Sequence, residues 1–173
     1  MSTAAHPRKI TARTAPRGPL QWRQVVEWLC EDGVISAEEG QRTIARCSQA
    51  ESAQHPLVRL AAVAMSRAAD GRPLDIESLT QYVAGRVGLD YLRIDPLKVD
   101  VAKVADTMSA AYAERHKVLP VQVTAKEVVV ATAEPFIDDW VAEVERQSRR
   151  TVRDVTPSAS AVSSSVMPIR RLR

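Results

Sequence analysis

The sequence predicts an α+β fold: an N-terminal helical subdomain, then a compact α/β subdomain with a small three-stranded sheet flanked by helices. Three observations predict it. Residues 117–156 change apolar period from two to helical and back, which reads as strand, turn, strand, helix, strand. Upstream of them, apolar residues recur at helical spacing between glycines and cap residues. Finally, 45% of the 173 residues are hydrophobic but only 4% are aromatic, so the core is built of Val, Leu, Ile and Ala.

Residues 1–19 hold three prolines, small polar residues and four cations without an acid. They bury too little apolar area to offset ordering and are read as a disordered basic tail. The helical subdomain is placed at residues 20–88. Trp22, Val25, Val26, Leu29 and Cys30 mark its first helix, and Asp32-Gly33 ends it with a Gly cap. Ser36 with Glu39 three residues later has the form of a capping box, opening a second helix to about Ser48. A third helix is expected over residues 57–69, from Leu57, Leu60, Ala61, Ala64 and Met65. Gly71 and Pro73 then form a turn, and Asp75 caps a fourth helix with Leu79, Val83 and Val87 inward.

The α/β subdomain is placed at residues 89–166, with a basic tail or linker at 167–173. Tyr91, Leu92, Ile94 and Leu97 read as an extended link. Asp100 caps one continuous helix carrying Val101, Val104, Ala105, Met108, Ala111 and Tyr112, with His116 and Lys117 at its end. Leu119, Val121 and Val123 alternate as one face of a strand, and Val128, Val129 and Val130 form the second. After Pro135, the residues Phe136, Ile137, Trp140, Val141 and Val144 make an apolar helical stripe closed by Arg149 and Arg150. Val152 and Val155 give the third strand, and residues 159–166 a weak final helix.

Composition excludes several classes. The formal charge of +3 rests on seven cations in the two ends, without which the chain would stand at −4, so no basic nucleic-acid face is expected on the body. No apolar run approaches a membrane span of about 20 residues, so direct membrane insertion is not expected. Cys30 and Cys47 are too few for a disulfide framework, and His6, His55 and His116 have no metal-ligand spacing. Neither a cofactor nor a catalytic residue is identified. Asp138, Asp139, Glu143 and Glu145 lie on a polar helix face and read as solvated surface. Trp140 is assigned to the core. Trp22 and Trp28 cannot both centre one helical face, so the first helix supplies the candidate partner-binding residues Trp22, Val26, Trp28 and Leu29.

The residues Val118, Leu119, Pro120, Val121, Ala131, Ala133, Glu134 and Pro135, with the step from Gly88 to Tyr91, resemble the N-terminal domain of the type II secretion and type IV pilus assembly ATPases. The similarity covers residues 85–166 well and 25–84 loosely. It implies a docking and regulatory domain that recruits a motor to the cytoplasmic part of an inner-membrane platform protein, or contacts the motor ATPase itself. It also implies a cytoplasmic protein held at the inner membrane through a partner. A free-standing adaptor and a cyclic di-GMP-responsive sensor of the same fold are the alternatives, with a hydrolase the least supported. Whether the chain is a piece of a larger ATPase stays open.

Many such domains bind cyclic di-GMP through a repeated signature of Arg-Leu-Gly, then Gly, two aliphatics and Ser. Aligning on Gly33, Val34, Ile35 and Ser36 puts Gln24 in place of the Arg, Val26 in place of a Gly and Gly40 in place of a Leu. The second copy, near Gly71, is displaced by one position. These departures disfavour cyclic di-GMP as a ligand. If it binds, Arg23, Gly33 and Arg59 are the candidate residues, with Arg42 a further substitute for the signature Arg.

The chain contains no G-x-x-x-x-G-K-[ST] loop to cradle phosphates. Purified chain is therefore expected to show no ATP turnover in a coupled assay. Turnover abolished by a point substitution within these residues would overturn that expectation.

Overall fold

The computed structural model describes residues 17–49, 52–95 and 99–157. The expected tail at 1–16, the final helix at 159–166, the tail at 167–173 and Leu97 lie outside them. The chain divides into two compact units, Leu20–Gly88 and Leu89 onward, with residues 17–19 assigned to the second.

The first unit has four helices: α1 (Trp22–Glu31), α2 (Ala37–Ser48), α3 (Pro56–Ala62) and α4 (Ile76–Val87). Its caps are local chemistry. Ser36 accepts from the Glu39 N–H at 3.1 Å, and Asp75 accepts from the Ser78 N–H at 2.7 Å. Gly33 and Gly88 take left-handed φ values of +66° and +79° where α1 and α4 end, a conformation Gly adopts without strain. The third helix is shorter than expected. It stops at Ala62, Ala64 turns left-handed, and Ser66 pairs with Pro73 in an isolated bridge. The Ala68 N–H also donates to the Val34 carbonyl at 2.9 Å, so this segment pairs with the α1–α2 turn and leaves the helix. Gly40 brings α2 close to α1: a Cβ there would lie 2.4 Å from Cys30 Sγ. The Leu expected from the family pattern has no room at this crossing.

A buried charge cluster crosses the unit. The Asp32 side chain, 1% exposed, accepts from the Tyr82 hydroxyl at 2.7 Å and from Arg86 Nη1 at 2.6 Å. Arg86 Nη2 donates to Glu31 at 2.6 Å, and the guanidinium lies 5.6 Å from the Trp28 ring centroid. Burial, with Asp32 alongside, pushes the Tyr82 hydroxyl far above the usual phenol range, so it stays a neutral donor.

The second unit orders as β1 (Asp90–Leu92), α5 (Val101–Thr107), α6 (Ala110–His116), β2 (Val118–Val123), β3 (Glu127–Thr132), α7 (Val141–Ser148) and β4 (Thr151–Pro157). The α+β class holds, with one strand more than expected. The segment read as a link supplies β1, and the sheet runs β1-β4-β3-β2. β2 and β3 are antiparallel, while β4 runs parallel to both β3 and β1. On one face Met108, Ala113, Val118, Val128, Val130, Trp140 and Val144 form a core, and on the other Val121, Val129, Ala131 and Val155.

Three expectations are corrected here. The helix expected through Val101 to Tyr112 breaks at Met108, which is extended at φ −150° and ψ 132°. Ser109 then caps α6 by accepting from the Tyr112 N–H. Val123 does not share a face with Leu119 and Val121, because a bulge between Pro120 and Gln122 inverts the alternation. The stripe from Phe136 is not all helical. A turn follows Pro135, α7 begins at Val141, and Trp140 precedes it as the cap residue.

Trp140 is nevertheless core, 1% exposed, with its Nε1–H donating to the Ile137 carbonyl at 2.8 Å. Trp140→Ala is expected to cost about 3–5 kcal/mol in urea unfolding; a loss under ~0.5 kcal/mol would contradict that packing. In the first unit, Arg86→Met strands the Asp32 carboxylate and should cost about 3–5 kcal/mol. Tyr82→Phe removes one donor and should cost about 1–3 kcal/mol. Equal costs for the two variants would show that the guanidinium does not carry the cluster.

Candidate functional site

The first unit contains a cleft of about 570 Å³ lined by Trp22, Arg23, Cys47, Ser48, Ser52, Ala53 and Arg59. The first turn of α1 supplies Trp22 and Arg23, the last turn of α2 supplies Cys47 and Ser48, and α3 supplies Arg59. Trp22 is half-buried. The Arg23 guanidinium lies 4.5 Å from its ring centroid and that of Arg59 lies 5.0 Å from it. Arg23 Nη2 donates to Ser48 Oγ at 2.8 Å, and Arg59 Nη2 donates to the Cys47 carbonyl.

Two cations drawn to one ring repel each other. The ring's negative face and the carbonyl end of α2 offset that repulsion. The result is a polar cleft with two forked donors side by side, which suits a ligand bearing more than one anionic oxygen. No nucleophile among the described residues that line it has an adjacent base. Among the described residues no group of three or more His, Cys, Asp or Glu could hold a metal ion. His55 caps α3, its Nδ1 accepting from the Leu57 N–H, and His116 stacks on Tyr112 with centroids 4.3 Å apart.

The candidates from sequence separate clearly. Arg23 and Arg59 come together in the cleft, each against the Trp22 ring. Val26 and Leu29 are fully buried and Trp28 is 6% exposed, so these three pack inside the unit. Gly33 forms the turn after α1 and is not among the cleft residues. Arg42 pairs with Glu39 on α2. Cys47, Ser48, Ser52 and Ala53 were not singled out from sequence. The signal available was the antiparallel pairing of two capped helices, which brings the end of α2 beside the start of α1.

Against known proteins, residues 87–169 match the model of the MshEN domain. The type IV pilus assembly ATPase TfpB of Acinetobacter baylyi is 36% identical over 129 residues, covering 72% of this chain and 21% of that protein. The chain thus spans about a fifth of the length of this curated relative. A solved structure of MshE with cdg has the same fold at a TM-score of 0.52 and 12% identity, over 89% of this chain and 99% of that one.

That likeness corrects the exclusion of cyclic di-GMP: the shared fold is one solved in MshE together with this ligand. Arg23 stands beside the signature position that Gln24 occupies. Its register on α1 is one residue from the signature position, about 100° around the helix. The long side chain nevertheless reaches the cleft, where Arg59 meets it from α3. No helix among the described residues is long and apolar enough to cross a membrane. The chain thus carries an MshEN domain over residues 87–169 and is homologous to the type IV pilus assembly ATPase TfpB.

Proposed function

We propose that this chain is a regulatory and docking domain of a type IV pilus assembly ATPase, and that cyclic di-GMP occupies the cleft of its first unit. The observation that carries the reading is the convergence of Arg23 and Arg59 on Trp22. Cyclic di-GMP presents two phosphates and two guanines. Guanidinium forks recognise phosphate oxygens or the O6 and N7 edge of guanine with paired hydrogen bonds. The cleft volume falls in the range of small-molecule sites, about 300–1,000 Å³. The likeness to MshE supports the choice of ligand, and the likeness to TfpB supports the choice of machine. In this reading the domain binds the cytoplasmic part of an inner-membrane platform protein and so sits at that membrane through a partner. It transmits ligand occupancy to the motor by binding energy, with no chemistry of its own.

Calorimetric titration of the whole chain with cyclic di-GMP is expected to give a saturable heat. Arg23→Ala and Arg59→Ala should each weaken binding about tenfold or more, equivalent to ~1.4 kcal/mol. Raised salt should weaken it further, because exposed charge pairs are screened. Absence of heat, or wild-type affinity in both variants, would overturn the assignment.

A further inference from the structure

The last turn of α2 lies against the same two arginines, and its capping is unusual. Helix α2 is 12 residues long, and its final carbonyls have no partners within the helix. It has no left-handed Gly after it; Gln49 follows in a right-handed conformation, its N–H 3.3 Å from the Arg46 carbonyl. Side chains from other helices serve that end instead. Arg59 donates to the Cys47 carbonyl. Arg23 donates to Ser48 Oγ, which in turn donates to the Ile44 carbonyl at 2.7 Å. Arg23 is exposed and Ser48 is exposed, so this relay competes with water.

We propose that the C-terminal turn of α2 is the element through which occupancy of the cleft is sensed, with Ser48 as the positioning residue that links Arg23 to the helix. The inference rests on the reading of the cleft as a cyclic di-GMP site. A guanidinium has five N–H donors in a rigid fork, so it can hold an anionic ligand while still donating to the helix end. An anion bound to Arg23 and Arg59 fixes both side chains in the rotamers that bond the end of α2, at Ser48 Oγ and at the Cys47 carbonyl. Part of the ordering entropy of those side chains is then met by the ligand, and the last turn of α2 frays less. The turn containing residues 46–49 therefore becomes more ordered when the cleft is filled. The Trp22 ring keeps the two guanidiniums together when it is empty.

Hydrogen exchange on the full chain reads this directly. Saturating cyclic di-GMP is expected to slow exchange of the amides of residues 46–49 by about tenfold or more, equivalent to ~1.4 kcal/mol. Amides of α7 should be unchanged. With each variant held at a ligand concentration that saturates it, Ser48→Ala should lose the slowing at 46–49, and Ser48→Thr, which keeps a hydroxyl, should restore it. In the absence of ligand, Arg23→Ala combined with Arg59→Ala should speed exchange at 46–49 in a protein that otherwise keeps wild-type protection. Binding with exchange at 46–49 unchanged or faster overturns this inference and leaves the cleft assignment standing. So does slowing that persists in Ser48→Ala, or wild-type exchange at 46–49 in the double Arg variant. Failure of cyclic di-GMP to bind at all overturns the assignment and the inference together.

Discussion

The first unit depends on one buried carboxylate. Asp32 ends α1 and is almost completely removed from water, which is costly for an ionised group unless donors replace its hydration. Tyr82 and Arg86, one helical turn apart on α4, supply those donors together. Because both come from one helix face, satisfying Asp32 fixes the position of α4 against the end of α1. Arg86 also covers Trp28 and reaches Glu31, so the same contact shields the apolar side of α1. A purely apolar contact here would tolerate sliding; forked hydrogen bonds to a single carboxylate do not.

The second unit is organised around β3, which is paired on both sides and buried on both faces. Val128 and Val130 face one core while Val129 and Ala131 face the other. A strand covered on both faces reads as a continuous apolar run, and this is why its sequence lacks alternation. Its neighbours differ. β2 joins it through a short turn, whereas β4 must return through α7 because parallel strands need a crossover.

How much of this could be read from the sequence follows from the range of the interactions involved. Ser36, Asp75 and Asp100 were legible as caps because a cap is closed by an N–H three residues away. Ser109 was not, since alanines on its C-terminal side and valines before it continue the helical pattern through it. The bulge after Pro120 was hidden because inserting one residue changes no residue type; it changes only which face each one meets. Trp140 was legible as core by its apolar neighbours, though its place at the entry to α7 was not. Of the cleft, the arginines were visible but their meeting was not. Register on a helix fixes where a Cα points, and a side chain of Arg's length is not bound by it. Asp32 next to Gly33 looked like ordinary turn chemistry, and only the distant Tyr82 and Arg86 make it a buried acceptor.

The bulged strand β2 has a consequence beyond the packing of Val123. It is the outermost strand of its sheet, and the unpaired edge of a sheet is a template on which a second chain can add by backbone hydrogen bonding. Pro120 deletes one donor from that edge, and the irregular step to Gln122 spoils the spacing of the others. At high local concentration, copies of one chain meet each other's sheet edges. Here the residue that marks the start of the hairpin also protects the domain from edge-to-edge aggregation, so replacing Pro120 with a strand-forming residue would trade colloidal safety for a more regular ladder.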